Sequence, residues 1–201
     1  MQLLLICFLF TTFSSEKVTD INDFDSDLRK IVNNFKENIF DKDECIKFRN
    51  EAEDLAEEIE QEIEDDEYTN VEKQQINILL KKAEALEDYI ASVGNCGNYI
   101  PSIDDFYMAN SLVGGNVSAI ITDKYCVDVI SVTIGDYICY LAENNTTNTF
   151  KVTYEWANPN GMHNGNGTMG LYGKSVRHIF DNRDEPEQRL IIVSEIACAE
   201  F

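Results

Sequence analysis

Two histidines, His163 and His178, six cysteines and 37 carboxylates are the side chains of this 201-residue chain most suited to chemistry. A Cys–His nucleophile pair needs a base within hydrogen-bond reach of the sulfur. Neither histidine has a cysteine near it in sequence, so any such pair must come from the fold. The sequence contains no G-x-S-x-G elbow, no H-E-x-x-H, no Walker loop and no CxxC. Gly165-Asn166-Gly167 with Gly170 matches G-x-G-x-x-G literally, but no strand–turn–helix pattern surrounds it. Two histidines also leave zinc short of ligands. Paired carboxylates are so abundant that no one pair stands out for hydrolysis.

The acids concentrate in one run. Between Glu44 and Glu67 stand twelve acids against two bases, Lys47 and Arg49. Like charges at i, i+4, such as Glu53 with Glu57 and Glu58 with Glu62, each cost a few tenths of a kcal/mol on a helix. Solvent, a basic partner or a divalent cation must offset that repulsion. Glu57, Glu58 and Glu62 are the metal candidates, but the run lacks the D-x-D-x-D-G spacing of an EF-hand, so calcium binding there would be weak. The whole chain carries 37 acids and 16 bases, a net charge of −21. Such a surface repels phosphate backbones, which excludes nucleic acid as a partner.

The elements that position these residues follow from periodicity. Residues 18–93 read as three helices. The first carries Ile21, Phe24, Leu28, Ile31, Phe35 and Ile39 in one stripe. The second starts near Asp41, with Glu44 completing a capping box, and buries Phe48, Ala52, Leu55, Ile59 and Ile63. The third opens with a box of Thr69 and Glu72, carries Val71, Leu79, Ala83, Leu86, Ile90 and Val93, and ends on Gly94 as a left-handed cap. The short link 65–68 makes helices two and three an antiparallel hairpin. Cys45 and Cys96 then meet at its open end, and a Cys45–Cys96 bridge would add about 3–4 kcal/mol.

Beyond residue 97 the period changes to two. Residues 100–109 read as a connector with a short helical turn around Asp104–Tyr107. Strands are expected over 117–122, 125–134, 137–143, 150–157, 175–180 and 189–198, with Gly135-Asp136 as a two-residue hairpin loop. That loop pairs Ile134 with Tyr137 and Val132 with Cys139. Cys126 and Cys139 then lie on one face but about 20 Å apart by strand rise, too far to bridge each other. One of them is left to pair with Cys198. Phe150, Val152, Tyr154 and Trp156 alternate with polar residues as an inward aromatic face. Residues 158–167, with three Asn-Gly steps, read as an exposed recognition loop.

The apolar run Leu3–Phe10, followed by Thr11, Thr12, Ser14 and Ser15, has the length of a signal-peptide core, with cleavage expected after Ser14. Sequons stand at Asn116, Asn144, Asn145 and Asn166. The expected fold is α+β, in three parts: a signal peptide over 1–14, an acidic helical hairpin or three-helix unit over 18–93, and an antiparallel β-sandwich-like domain over 97–201. The chain is read as a secreted, non-catalytic interaction or structural module without a cofactor. It would bind an extracellular protein or glycan through Tyr154, Trp156, His163 and Asn164, the helical part serving as spacer or homo-oligomerisation element. A calcium-responsive acidic matrix or storage protein and a small secreted hydrolase are the alternatives.

Overall fold

The computed structural model describes residues 21–63, 68–97, 100–121, 126–157, 164–183 and 192–200. The signal-peptide expectation, Cys7, His163 and the acids Glu64 to Glu67 lie outside the described residues, as do the side chains of Trp156, Asn164 and Cys198. Among the described residues four helices precede seven antiparallel strands, an α+β arrangement. Helix α1 covers 21–37, and α2 (Lys42–Ile63), α3 (Asn70–Val93) and α4 (Ile103–Val113) follow. The strands are β1 (Asn116–Ile121), β2 (Asp128–Ile134), β3 (Tyr137–Asn144), β4 (Phe150–Ala157), β5 (Asn164–Leu171), β6 (Ser175–Asp181) and β7 (Ile192–Glu200). They form two sheets, ordered β1-β2-β3-β6 and β5-β4-β7.

Helix stripes fold as their spacing dictates. Phe24, Leu28, Ile31, Phe35 and Ile39 are buried, as are Phe48, Ala52, Leu55 and Ile59 of α2. Helices α2 and α3 pack along their lengths as a hairpin. Thr69 and Glu72 form the expected reciprocal capping box. At α2 only half of the expected box forms. The Asp41 carboxylate accepts from the N–H groups of Asp43 and Glu44, but the Asp41 N–H donates to the Asn38 carbonyl and Glu44 pairs with Lys47. Val71, expected on the buried stripe of α3, is 65% exposed, and Ile76 takes the interior position nearest that end.

Two further expectations are corrected. Gly94 does cap α3, but in right-handed conformation (φ −75°), and the positive φ falls on Asn95 at 49°. Glycine is needed at 94 for space, because a Cβ there would run into the Cys45 sulfur and the Ile90 carbonyl oxygen. The connector at 100–109 is in fact most of α4, a helix of eleven residues. Ser102 caps its start by accepting from the Asp105 N–H, and Gly114, at φ 73°, ends it in the left-handed conformation. Phe106, Ala109, Asn110 and Val113 form its buried face. The Asn110 side chain accepts from the buried Tyr89 hydroxyl and donates to the Gly115 carbonyl, which ties α3 and α4 to the entry of β1.

The β2–β3 hairpin has the expected register, Ile134 with Tyr137 and Val132 with Cys139, around Gly135 at φ 59°. Its alternation feeds two cores. Ile130, Val132, Ile134, Cys139 and Leu141 pack with all four helices. Val129, Tyr140 and Ala142, on the opposite face, pack with Phe150, Val152, Met169 and Leu171 of the second sheet. The four-stranded sheet is therefore covered on both faces, by helices on one and by strands on the other. Arg177 of β6 adds a polar tie between the sheets by donating to the Gly170 carbonyl of β5.

Candidate functional site

Of the residues expected to contact a partner, Tyr154, Trp156 and Asn164 lie on β4 and β5, which the sequence reads as a strand followed by a loop. Asn164, Gly165, Asn166 and Gly167 are not loop residues: they begin β5, in continuous register with β4 from Ala157↔Asn164 to Phe150↔Leu171. Backbone pairing supplies what this glycine-rich segment lacks in β propensity. The Tyr154 ring lies against Gly167, its cross-strand neighbour, where any Cβ would strike it. Tyr154 is thus half-buried, and burial raises its hydroxyl above the ordinary value while Arg177 opposes the rise. Its contacts make it a cover for the edge strand. Trp156 pairs through its backbone with Gly165 on one side and Val193 on the other.

The acidic candidates do not converge. Glu58 lines a groove between α1 and α2 with Asp27, Lys30, Glu51 and Asp54. Glu62, one turn along α2 from Glu58, instead accepts from the Tyr68 hydroxyl at 2.5 Å, and Glu57 is exposed outside the groove. Among the described residues no three His, Cys, Asp or Glu side chains are grouped to hold a metal ion. The groove sets four carboxylates around one lysine, an arrangement suited to a cationic segment.

A polar cluster at the junction of helices and sheet was not legible in the sequence. Cys139 and Asp181 are cross-strand partners, and the His178 ring lies 3.0 Å from the Asp181 carboxylate. Burial alone would raise Asp181, but hydrogen bonds from His178 and the Arg183 N–H, with the charges of both residues, hold it below the usual carboxylate range. The Arg183 guanidinium lies over the Tyr137 ring and donates to the carbonyls of Ile39 and Gly94. The Tyr137 hydroxyl donates to the Val93 carbonyl at 2.6 Å. The cluster thus fastens the ends of α1 and α3 to β3 and β6.

Cys139 is the free thiol of this cluster, fully buried, with its sulfur 3.9 Å from the Tyr140 carbonyl oxygen. Burial pushes it well above the ordinary thiol value, Asp181 adds to the rise and Arg183 opposes it. A nucleophilic cysteine needs the reverse, a depressed value and access. Cys45 and Cys96 form the expected bridge, their Cα atoms 6.1 Å apart, and Cys126 is disulfide-bonded as well.

A second polar group sits at the far end of the same sheet. Asp128 and Glu143 are cross-strand partners, and Glu143, buried, accepts from the Tyr107 hydroxyl of α4 at 3.3 Å. Burial raises the Glu143 carboxyl and Asp128 adds to it, while hydrogen bonds from Tyr107 and Asn145 oppose the rise. Asn145 also donates to Asp128, and Lys174 donates to the Asn145 carbonyl. The result is a satisfied network that pins the β3–β4 and β5–β6 connections to α4.

No known protein family matches the chain, and no curated protein or solved structure matches it.

Proposed function

We propose that this chain is a secreted interaction module that binds an extracellular protein or glycan through the distal end of the β4–β5 hairpin. The observation that carries the extracellular part is the Cys45–Cys96 bridge, joined by a disulfide at Cys126. Disulfides of this structural kind persist in oxidising compartments and are rare in the reducing cytosol. No helix among the described residues is long and apolar enough to cross a membrane. The hairpin end is favoured as the contact surface because pairing runs on past its buried part. Phe150, Val152, Met169 and Leu171 fill the core, whereas Trp156↔Gly165 and Ala157↔Asn164 extend beyond them. Tyr154, Trp156, His163 and Asn164 are the residues to substitute.

Fluorescently labelled protein applied to cell surfaces and to a glycan array tests this reading. Binding that is lost in Trp156→Ala and His163→Ala, with unchanged far-UV circular dichroism, supports it. Binding that is absent altogether, or indifferent to these substitutions, overturns the hairpin assignment. The α1–α2 groove supports a second reading, in which its four carboxylates take a basic segment. That binding would weaken steeply with salt and fall in Asp54→Asn with Glu58→Gln, and it would ignore Trp156→Ala. The calcium-responsive alternative draws on the same helix. A melting midpoint raised by millimolar calcium and not by magnesium, and lost in Glu57→Gln with Glu58→Gln and Glu62→Gln, would move it to first place.

A further inference from the structure

We infer that this protein carries N-linked oligosaccharide on Asn116, Asn145 and Asn166, and that its fold selects Asn145 over the overlapping sequon at Asn144. The inference rests on the extracellular part of the reading above. Four Asn-x-Ser/Thr triplets are present, at Asn116-Val117-Ser118, Asn144-Asn145-Thr146, Asn145-Thr146-Thr147 and Asn166-Gly167-Thr168. In the modification, the Asn Nδ2 attacks C1 of the first sugar of a lipid-linked diphospho-oligosaccharide. The C–N bond forms, the sugar–phosphate C–O bond breaks, the lipid diphosphate leaves and Nδ2 gives up one proton. The product amide keeps a single N–H.

Burial separates the two overlapping sites. Asn144 is fully buried, and both Nδ2 hydrogens are in use, one to the Asn148 carbonyl at 2.7 Å and one to the Tyr172 carbonyl at 2.9 Å. Its Oδ1 accepts from the Thr146 N–H and hydroxyl. A sugar on that nitrogen would remove one of these bonds and fill space the fold has already packed. Asn145 is exposed, and its side-chain amide donates to Asp128 at 3.1 Å and to the Glu143 carboxylate. Its glycosylated amide keeps one N–H for one of these carboxylates, and its exposed position leaves room for the sugar.

The other two sites are exposed on edge strands. Asn116 opens β1, the edge of the four-stranded sheet, and Ser118 is exposed beside it. Asn166 lies on β5, the edge of the three-stranded sheet, with its Thr168 exposed as well. Edge strands present unpaired backbone groups that recruit other strands. Oligosaccharide on these two would block edge-to-edge association of the secreted protein.

The test is expression of the full chain in a eukaryotic secretory host, followed by enzymatic deglycosylation in 18O-labelled water and peptide mass spectrometry. Occupied asparagines become 18O-labelled aspartate. Label at Asn116, Asn145 and Asn166, and none at Asn144, is the expected result. Thr147→Ala, an exposed position, destroys the Asn145 sequon alone and should remove one oligosaccharide from the intact mass. An unchanged mass, or label at Asn144, overturns the selection. Protein that reaches the medium without sugar overturns this inference and leaves the extracellular reading standing. Protein retained unmodified in the cytosol overturns both.

Discussion

Arg183 and Gly94, 89 residues apart in sequence, meet through a hydrogen bond from the Arg183 guanidinium to the Gly94 carbonyl oxygen. The same guanidinium donates to the Ile39 carbonyl at 3.2 Å. Carbonyls just past the ends of α1 and α3 are thereby satisfied by one cation supplied from beyond the end of β6. Arg183→Met keeps an apolar stem over Tyr137 but removes the donors. Loss of charged hydrogen bonds should lower unfolding stability by about 2–3 kcal/mol, measured by urea titration. A change below about 0.5 kcal/mol would mean that water replaces the guanidinium without cost and that the contact is no latch.

Gly94 and Asn95 make a paired prediction with opposite signs. Gly94→Ala pushes a methyl into the Cys45 sulfur and the Ile90 carbonyl, and overpacking of this kind costs about 1–3 kcal/mol. Asn95 is the residue at positive φ, so Asn95→Gly relieves backbone strain and should be neutral or slightly stabilising. Thermal melts of the two variants check both. The reverse order would put the conformational demand on residue 94, where a left-handed cap would need it.

These two residues also mark what sequence reasoning can reach. Gly94 is legible as a helix end, because glycine past an apolar stripe has few other readings, but its reason is a cysteine 49 positions away, which no local rule contains. The helix stripes and the Gly135-Asp136 hairpin are local: the hairpin has its expected register to the residue pair, and the stripes hold except at Val71. Helix α4 reads only as a short turn in the sequence because its stripe of Phe106, Ala109 and Val113 spans about two turns after Pro101. Strand β5 was missed because its residues, Asn164 to Leu171, are strand-like only beside β4. Val71 has the type of a core residue but sits in the first turn of α3, where Ile76 already fills the interior. The Arg183 cluster joins segments 144 and 89 residues apart, so no spacing announces it.

The carboxylates predict a stability maximum on the acid side of neutrality. Burial raises Glu87, Asp88 and Glu143, and neighbouring acids add to each: Glu53 for Glu87, Asp105 for Asp88, Asp128 for Glu143. A raised folded value means the fold binds protons more readily than the unfolded chain, so stability grows as pH falls from neutral through those raised values. Asp181 has the opposite sign. Its contribution is intact above the ordinary aspartate range and is lost as pH falls through its lowered folded value. The melting midpoint should therefore climb from neutral pH into the mildly acidic range and then drop. Glu143→Gln should flatten the climb, and Asp181→Asn should lower the midpoint at neutral pH. A midpoint that falls steadily from neutral pH downward would contradict the assignment.

The cysteines make the last prediction. The Cys45–Cys96 bridge closes the open end of the α2–α3 hairpin over a separation of 51 residues, for which chain entropy gives about 4 kcal/mol. Cys126 is bonded and Cys139 is free, so of the two cysteines the sequence offers to Cys198, only Cys126 is available. Non-reducing peptide mapping should recover Cys45 with Cys96 and Cys126 with Cys198. Iodoacetamide should leave Cys139 unmodified in the native protein, because the thiol is buried and its ionisation is suppressed by burial and by Asp181, and should modify it once denaturant opens the core. Cys139→Ser would then place a hydroxyl in the helix–sheet core and lower stability by about 1–3 kcal/mol, whereas Cys139→Ala should cost less. Rapid native labelling of Cys139 would show that the core between the helices and the four-stranded sheet opens far more readily than its packing implies.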